Sequence, residues 1–159
     1  MALVRDRNPA ALRPRVLCVD DDRNVGATVQ AILGDEGYDV SCLFDITNES
    51  IRRGIDELEP DCILLDSASR TSYSLSWEAA AWIRHRTRPI PVVMFTAHLA
   101  DSREALADLT ERAREAGFAT VLPKPFSIDQ LLAAVSIAVG RACPVDPAEP
   151  LVIAGQRPG

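Results

Sequence analysis

Short apolar runs alternate with stretches of helical periodicity along most of this chain, and that alternation restricts the fold more than any other feature. The run 16–19 is followed by Val25, Val29, Ile32 and Leu33 at helical spacing, with Gly34 or Gly37 placed to end the helix. Residues 38–44 alternate loosely as a second strand. Ile51, Ile55 and Leu58 then mark one face of a second helix, stopped before Pro60. Residues 62–66 read as a third strand, and a third helix carries Leu75, Ala79, Trp82 and Ile83 on one side. A fourth strand at 90–95 precedes a helix bearing Leu106, Leu109, Ala113 and Ala116, closed by Gly117. The last strand, 119–122, leads to a helix from Ser127, a suitable N-cap, to about Arg141. Strands and helices alternating at these lengths predict an α/β domain, a doubly wound parallel sheet with helices on both faces.

The residues that end the strands carry the chemistry. The first run stops at Asp20-Asp21-Asp22, the third at Asp66, the fourth at Thr96, and the last leads into Lys124-Pro125-Phe126. In a parallel sheet these carboxyl ends converge on one edge, so residues far apart in sequence can share a pocket. Clustered carboxylates repel one another unless a cation sits between them, and oxygen-only ligands suit Mg²⁺. A lysine and a hydroxyl beside them suit the anionic oxygens of a phosphoryl group. Each residue also has a plainer reading. Acidic residues cap the first turn of a helix, Asp66 can cap a strand end, Thr96 can belong to a turn, and Lys124 can be a solvated charge. The coincidence of all four strand ends favours a site.

Composition narrows the setting. At 159 residues and 47% hydrophobic the chain can bury one sizeable core. A net charge of −6 offers no electrostatic footprint for nucleic acid or an anionic membrane. Residues 1–14 lack an apolar leader core and no run approaches membrane-spanning length, so a cytoplasmic protein is expected. Cys18, Cys42 and Cys62 lie in strand-like runs and Cys143 near the tail, with no CxxC or zinc spacing, and buried free thiols are expected. The chain divides into a flexible segment 1–14, a domain at 15–141, and a tail at 142–159. The tail holds Pro144, Pro147, Pro150 and Pro158, is too short to fold alone, and is expected to be disordered. With no effector segment after the domain, output is expected through surface contacts.

The motifs VDDD at 19–22, ILLD ending at Asp66, FTA at 95–97 and KPF at 124–126 together resemble the receiver domain of two-component response regulators, in a single-domain form. The resemblance spans about residues 15–141. It implies a flavodoxin-like sheet of five strands in the order 2-1-3-4-5. It implies that Asp66 accepts a phosphoryl group from a sensor histidine kinase or a histidine phosphotransfer protein. By the same resemblance, Asp21, Asp66 and the backbone carbonyl of Ala68 ligate Mg²⁺ directly, and Asp20 does so through water. Lys124 bridges to the carboxylate and then to the phosphoryl oxygens, Thr96 turns its hydroxyl toward the phosphoryl group, and the Lys124–Pro125 peptide is often cis in relatives. Beyond Mg²⁺-dependent self-phosphorylation and autodephosphorylation, no enzymatic activity is implied. The partners implied are the phosphodonor and a downstream protein target, without nucleic acid or membrane, and a homodimer is among the assemblies the family forms.

Three departures from the family pattern bear on signalling. Residues 67–74 lack the proline and glycine that shape the loop after the acceptor aspartate in relatives. Val121 stands where many relatives carry Tyr or Phe. The interval from Thr96 to Lys124 is longer than usual, which is expected to extend the fourth-helix region, part of the family's dimer and output face. Two readings follow: a phosphorylatable receiver, or a receiver-like docking module independent of phosphorylation. A metal-dependent phosphohydrolase fits less well, because DDDRN lacks the DxDx[TV] pattern of such enzymes. His85 and His98 read as surface residues, His98 close enough to Thr96 to shield or admit water. Trp77 reads as helix-edge packing, partly exposed.

Overall fold

The computed structural model describes residues 13–66, 73–96, 103–140 and 152–153. Along the chain it places β1 (Arg15–Val19), α1 (Arg23–Asp35), β2 (Asp39–Leu43), α2 (Asn48–Leu58), β3 (Cys62–Asp66) and α3 (Tyr73–Arg84). There follow β4 (Val92–Thr96), α4 (Arg103–Ala116), β5 (Thr120–Pro123), α5 (Ile128–Gly140) and β6 (Val152–Ile153). All neighbouring strands are parallel, in the order β2-β1-β3-β4-β5-β6. The five strands expected from the sequence stand in the expected order.

The sheet separates two apolar cores. Val16, Cys18, Leu64, Val93 and Phe95 point to the side of α1 and α5, where Val29, Leu33, Leu131, Val135 and Ala138 meet them. Leu17, Val19, Ile63, Leu65, Met94 and Val121 point the other way, toward Ile51 and Ile55 of α2, Ala79 and Ile83 of α3, and Ala113 of α4. Strands buried on both faces need apolar side chains at every position, which is why they read as unbroken runs rather than alternating ones.

The helix ends follow local chemistry. Asp22 caps α1 by accepting the Asn24 amide at 2.8 Å, and Thr47 Oγ1 caps α2 by accepting the Ser50 amide at 3.1 Å. A reciprocal capping box opens α5: the Gln130 amide donates to Ser127 Oγ at 3.1 Å, and the Ser127 amide donates to Gln130 Oε1 at 2.8 Å. Gly117 ends α4 at φ +94°, the left-handed conformation that glycine adopts without penalty.

Three details differ from the sequence expectation. β4 begins at Val92 rather than residue 90 and runs one residue further, through Thr96. Pro91 has no amide to offer a ladder, though its carbonyl still accepts the Ile63 amide at 2.9 Å. α1 closes on Glu36 rather than on a glycine, with Gly37 following at φ +90°. A sixth strand, Val152–Ile153, stands beside β5 where the sequence suggests five, and the rest of the proline-rich tail lies outside the described residues. Residues 151–157 hold no proline, and two β-branched residues there have the amides needed to add to a sheet edge. Most of the segment 1–14, and all of residues 67–72 and 97–102, including Ala68 and His98, lie outside the described residues.

Candidate functional site

The parallel register brings the strand ends together as the sequence suggested. β1 lies between β2 and β3, and β3 pairs with β4 so that Asp66 faces Phe95. β4 pairs with β5 so that Thr96 faces Pro123, the residue before Lys124. One oxygen from each of Asp20, Asp21 and Asp66 falls within 4.8 Å of the others, with Asp20 and Asp66 buried and Asp21 exposed. Thr96, at 6% exposure, completes the row of strand ends.

The three consecutive aspartates do different work. Asp20 extends the β1–β2 ladder, its amide donating to the Leu43 carbonyl at 3.1 Å, and its side chain turns into the site. Its Oδ1 accepts the Asp22 amide at 2.9 Å, which fixes that carboxylate's direction. Asp22 turns the other way, onto the first turn of α1. The capping reading therefore holds for Asp22, and the metal-type grouping holds for Asp20 and Asp21.

Lys124 closes the group. Its Nζ lies 2.6 Å from Asp20 Oδ2 and 3.3 Å from Asp66 Oδ1. Its amide donates to the Thr96 carbonyl at 2.7 Å, so the strand that presents the threonine also anchors the lysine. The Lys124–Pro125 peptide is cis. Phe126 stacks on Phe95 with centroids 5.5 Å apart, and the ammonium sits 5.5 Å over the Phe95 ring. The motif KPF thus contains a floor as well as a cation, a role the sequence reading did not give to Phe126.

The electrostatics follow from burial. Removal from water raises the Asp20 carboxyl above its ordinary value, although the Lys124 ammonium and the Asp22 amide both pull it down. Burial works to lower Lys124, but its hydrogen bond and attraction to Asp20, together with Asp66, outweigh that and raise it. The result is two carboxylates and an ammonium in a nearly dry pocket, with a third carboxylate at its open side. That all-oxygen donor set suits a hard divalent cation such as Mg²⁺. A cation there would neutralise the surplus negative charge and leave Lys124 to meet an incoming anion.

The other singled-out residues lie elsewhere. His85 is exposed in the turn after α3. Trp77 is half-buried, edge-on to Phe118 at 5.4 Å, with the Arg112 guanidinium 5.5 Å from its ring centre. Val121 is wholly buried in the core under α4 and does not reach the surface. Cys18 and Cys42 are cross-strand neighbours in the β1–β2 register, a pairing that period and spacing had not suggested.

Comparison with known proteins agrees with this arrangement. Residues 16–136 match the family model described as response regulator receiver domain. The chain is 32% identical over 133 residues to the transcriptional regulatory protein PdtaR of Mycobacterium tuberculosis, covering 83% of this chain and 60% of that protein. It is 32% identical over 141 residues to the response regulator MprA of Mycobacterium leprae, covering 85% of this chain and 55% of that protein. The chain thus spans little more than half the length of these relatives. Among solved structures, the receiver domain of the Francisella response regulator 1452 superposes with a TM-score of 0.66 at 26% identity, covering 81% of this chain and 98% of that one. A response regulator receiver protein from Burkholderia phymatum gives 0.63 at 26% identity, covering 84% and 100%.

Proposed function

The chain belongs to the response regulator receiver family, and on that premise we propose that it accepts a phosphoryl group on Asp66 from a histidine kinase or a histidine phosphotransfer protein. The observation that carries this is the grouping of Asp20, Asp21 and Asp66 within 4.8 Å, with Lys124 held between two of them. A carboxylate oxygen of Asp66 attacks phosphorus, the bond from phosphorus to the donor imidazole nitrogen breaks, and an acyl phosphate forms. Asp20, Asp21 and Asp66, with the Ala68 carbonyl implied by the family, are the residues that would hold Mg²⁺. Bound there, the ion would offset repulsion between an anionic attacker and an anionic donor. Lys124, already drawn to Asp20, meets the phosphoryl oxygens, and the Thr96 hydroxyl supplies a further donor at the neighbouring strand end. Water is held off Asp66 by its 3% exposure, which favours transfer to the carboxylate over loss to solvent.

Output would then pass through protein–protein contacts in the cytoplasm. Among the described residues no helix is long and apolar enough to cross a membrane. One observation favours the second reading, a docking module that does not depend on phosphorylation. With Val121 sealed in the core, that position offers no aromatic side chain to swing between buried and exposed states. The test is incubation with a small acyl-phosphate donor and Mg²⁺, read as a mass gain. A gain that requires both Mg²⁺ and Asp66, absent in Asp66→Ala, is the expected result. A folded protein that gains no mass from the donor or from any histidine kinase would overturn it.

A further inference from the structure

The pairing of β6 with β5 has a hand that the rest of the sheet does not share. Going from β1 to β2 the chain moves toward one edge of the sheet with α1 on one face. Going from β2 to β3, β3 to β4 and β4 to β5 it moves the opposite way, with α2, α3 and α4 on the other face. Reversing both direction and face preserves the hand, so these four crossovers agree. From β5 to β6 the chain moves in the same direction as from β4 to β5, but its crossover helix, α5, lies on the face of α1. Taken through α5, the described part of that connection, the hand is the opposite one. Crossovers between parallel strands are right-handed in roughly 98% of cases, because the twist of strand and helix lets them pack back only that way. The pairing itself carries no such penalty when the strand comes from another molecule.

We propose that the outer edge of β5 is a strand-addition site that takes residues 152–153 from a second copy of this chain, each copy giving its tail strand and receiving its partner's. The pairing keeps the register Thr120 with Val152 and Val121 with Ile153. Such an exchange is a closed two-fold arrangement. Two features of the chain suit it. An open edge strand in an apolar sheet is a template for a further strand. Leu151-Val152-Ile153-Ala154 is the uncharged, β-forming stretch within a tail otherwise broken by prolines, and Pro150 leaves its amides free of interruption until Pro158.

The test uses the full chain and a Val152→Pro, Ile153→Pro double variant, which removes two tail amides and leaves the five inner strands and all helices unchanged. Sedimentation should show the average mass of the parent rising from one chain toward two with concentration, while the variant stays at one. Hydrogen exchange in the peptide spanning 118–123 should slow with concentration in the parent and not in the variant. In the variant it should slow again when a synthetic peptide of residues 148–156 is added. Three results would overturn the proposal: a monomeric parent whose β5 protection does not depend on concentration, a dimer that survives both prolines, or no protection of β5 at any concentration.

Discussion

Replacing Lys124 with methionine keeps the length of the side chain and removes its charge. In the parent, Lys124 is 17% exposed and sits against carboxylates that are 1% and 4% exposed. Breaking a buried pair by removing one partner costs about 3–5 kcal/mol, because the remaining charge is left uncompensated. The lysine keeps some access to water, so a loss of about 2–3 kcal/mol is expected at neutral pH without Mg²⁺. The loss should depend on pH with a definite sign. The Asp20 carboxyl is already raised by burial, and Lys124 is the strongest force holding it down. Without Lys124 it rises further. A raised carboxyl contributes stability that is fully present below its unfolded value of about 3.8 and fades as pH climbs through the folded value. The variant should therefore be damaged more near about pH 7.5 than near about pH 5, where Asp20 takes up a proton more readily. Mg²⁺ at about a hundred times its Kd should return about 2.7 kcal/mol. Urea unfolding at both pH values, with and without Mg²⁺, reads all of these. A neutral-pH loss under about 1 kcal/mol, or equal losses at the two pH values, would refute the idea that Lys124 compensates a buried carboxylate.

Asp20→Asn removes the group that burial disfavours while Asp66 stays beside Lys124. The metal-free protein should lose no stability and Mg²⁺ should bind more weakly, both readable from urea unfolding with Mg²⁺ titrated in. Two glycines separate backbone strain from crowding. Gly37→Ala, at φ +90° with nothing within 4 Å of the added carbon, should cost about 1 kcal/mol. Gly117→Ala, at φ +94°, would place that carbon 2.6 Å from Arg84 Cδ, and Arg84 is tied to the Glu115 carbonyl at 3.1 Å. Its cost should reach about 2 kcal/mol or more, and equal values for the two variants would show that Arg84 yields freely. Cys42 is lowered to about 7 by its hydrogen bond to Cys18, against the opposing effect of burial. A lowered thiol adds stability above its unfolded value of about 9 and loses it as pH falls toward about 7. Alkylation of Cys42, followed by peptide mass, should reach half its plateau near about pH 7, whereas Cys62, pushed up by complete burial, should stay unlabelled until the protein unfolds. A Cys42 midpoint above about pH 9 would contradict its pairing with Cys18.

The inner strands were legible because a sheet covered on both faces leaves no position for a polar side chain, so 16–19, 62–65 and 92–95 are nearly pure apolar runs. The site was legible for a related reason: charged and hydroxyl residues directly after such runs have one edge of the sheet to occupy. Other features depend on three-dimensional detail. Three identical aspartates cannot announce which one caps α1; the hydrogen bonds of Asp20 Oδ1 and Asp22 Oδ1 decide it. The resemblance joined Lys124 to the acceptor carboxylate, yet its shorter contact is with Asp20. β6 is only two residues long, too short for any periodicity, so its pairing with β5 could not be read from the sequence. β4 starts later than its apolar run suggests, because Ile90 extends the run while Pro91 lacks the amide that would continue the strand.

The contact between Lys124 and Asp20 joins residues 104 positions apart. Every helix from α1 to α4 is encoded between them, so a chain emerging from the ribosome carries its aspartates long before it carries their counter-ion. Contacts that span so much of a chain form late, after the loop they close has been ordered by nearer ones. The group of Asp20, Asp66 and Lys124 is therefore incomplete in partly made or partly folded molecules, and its closure marks the arrival of β5 in the sheet.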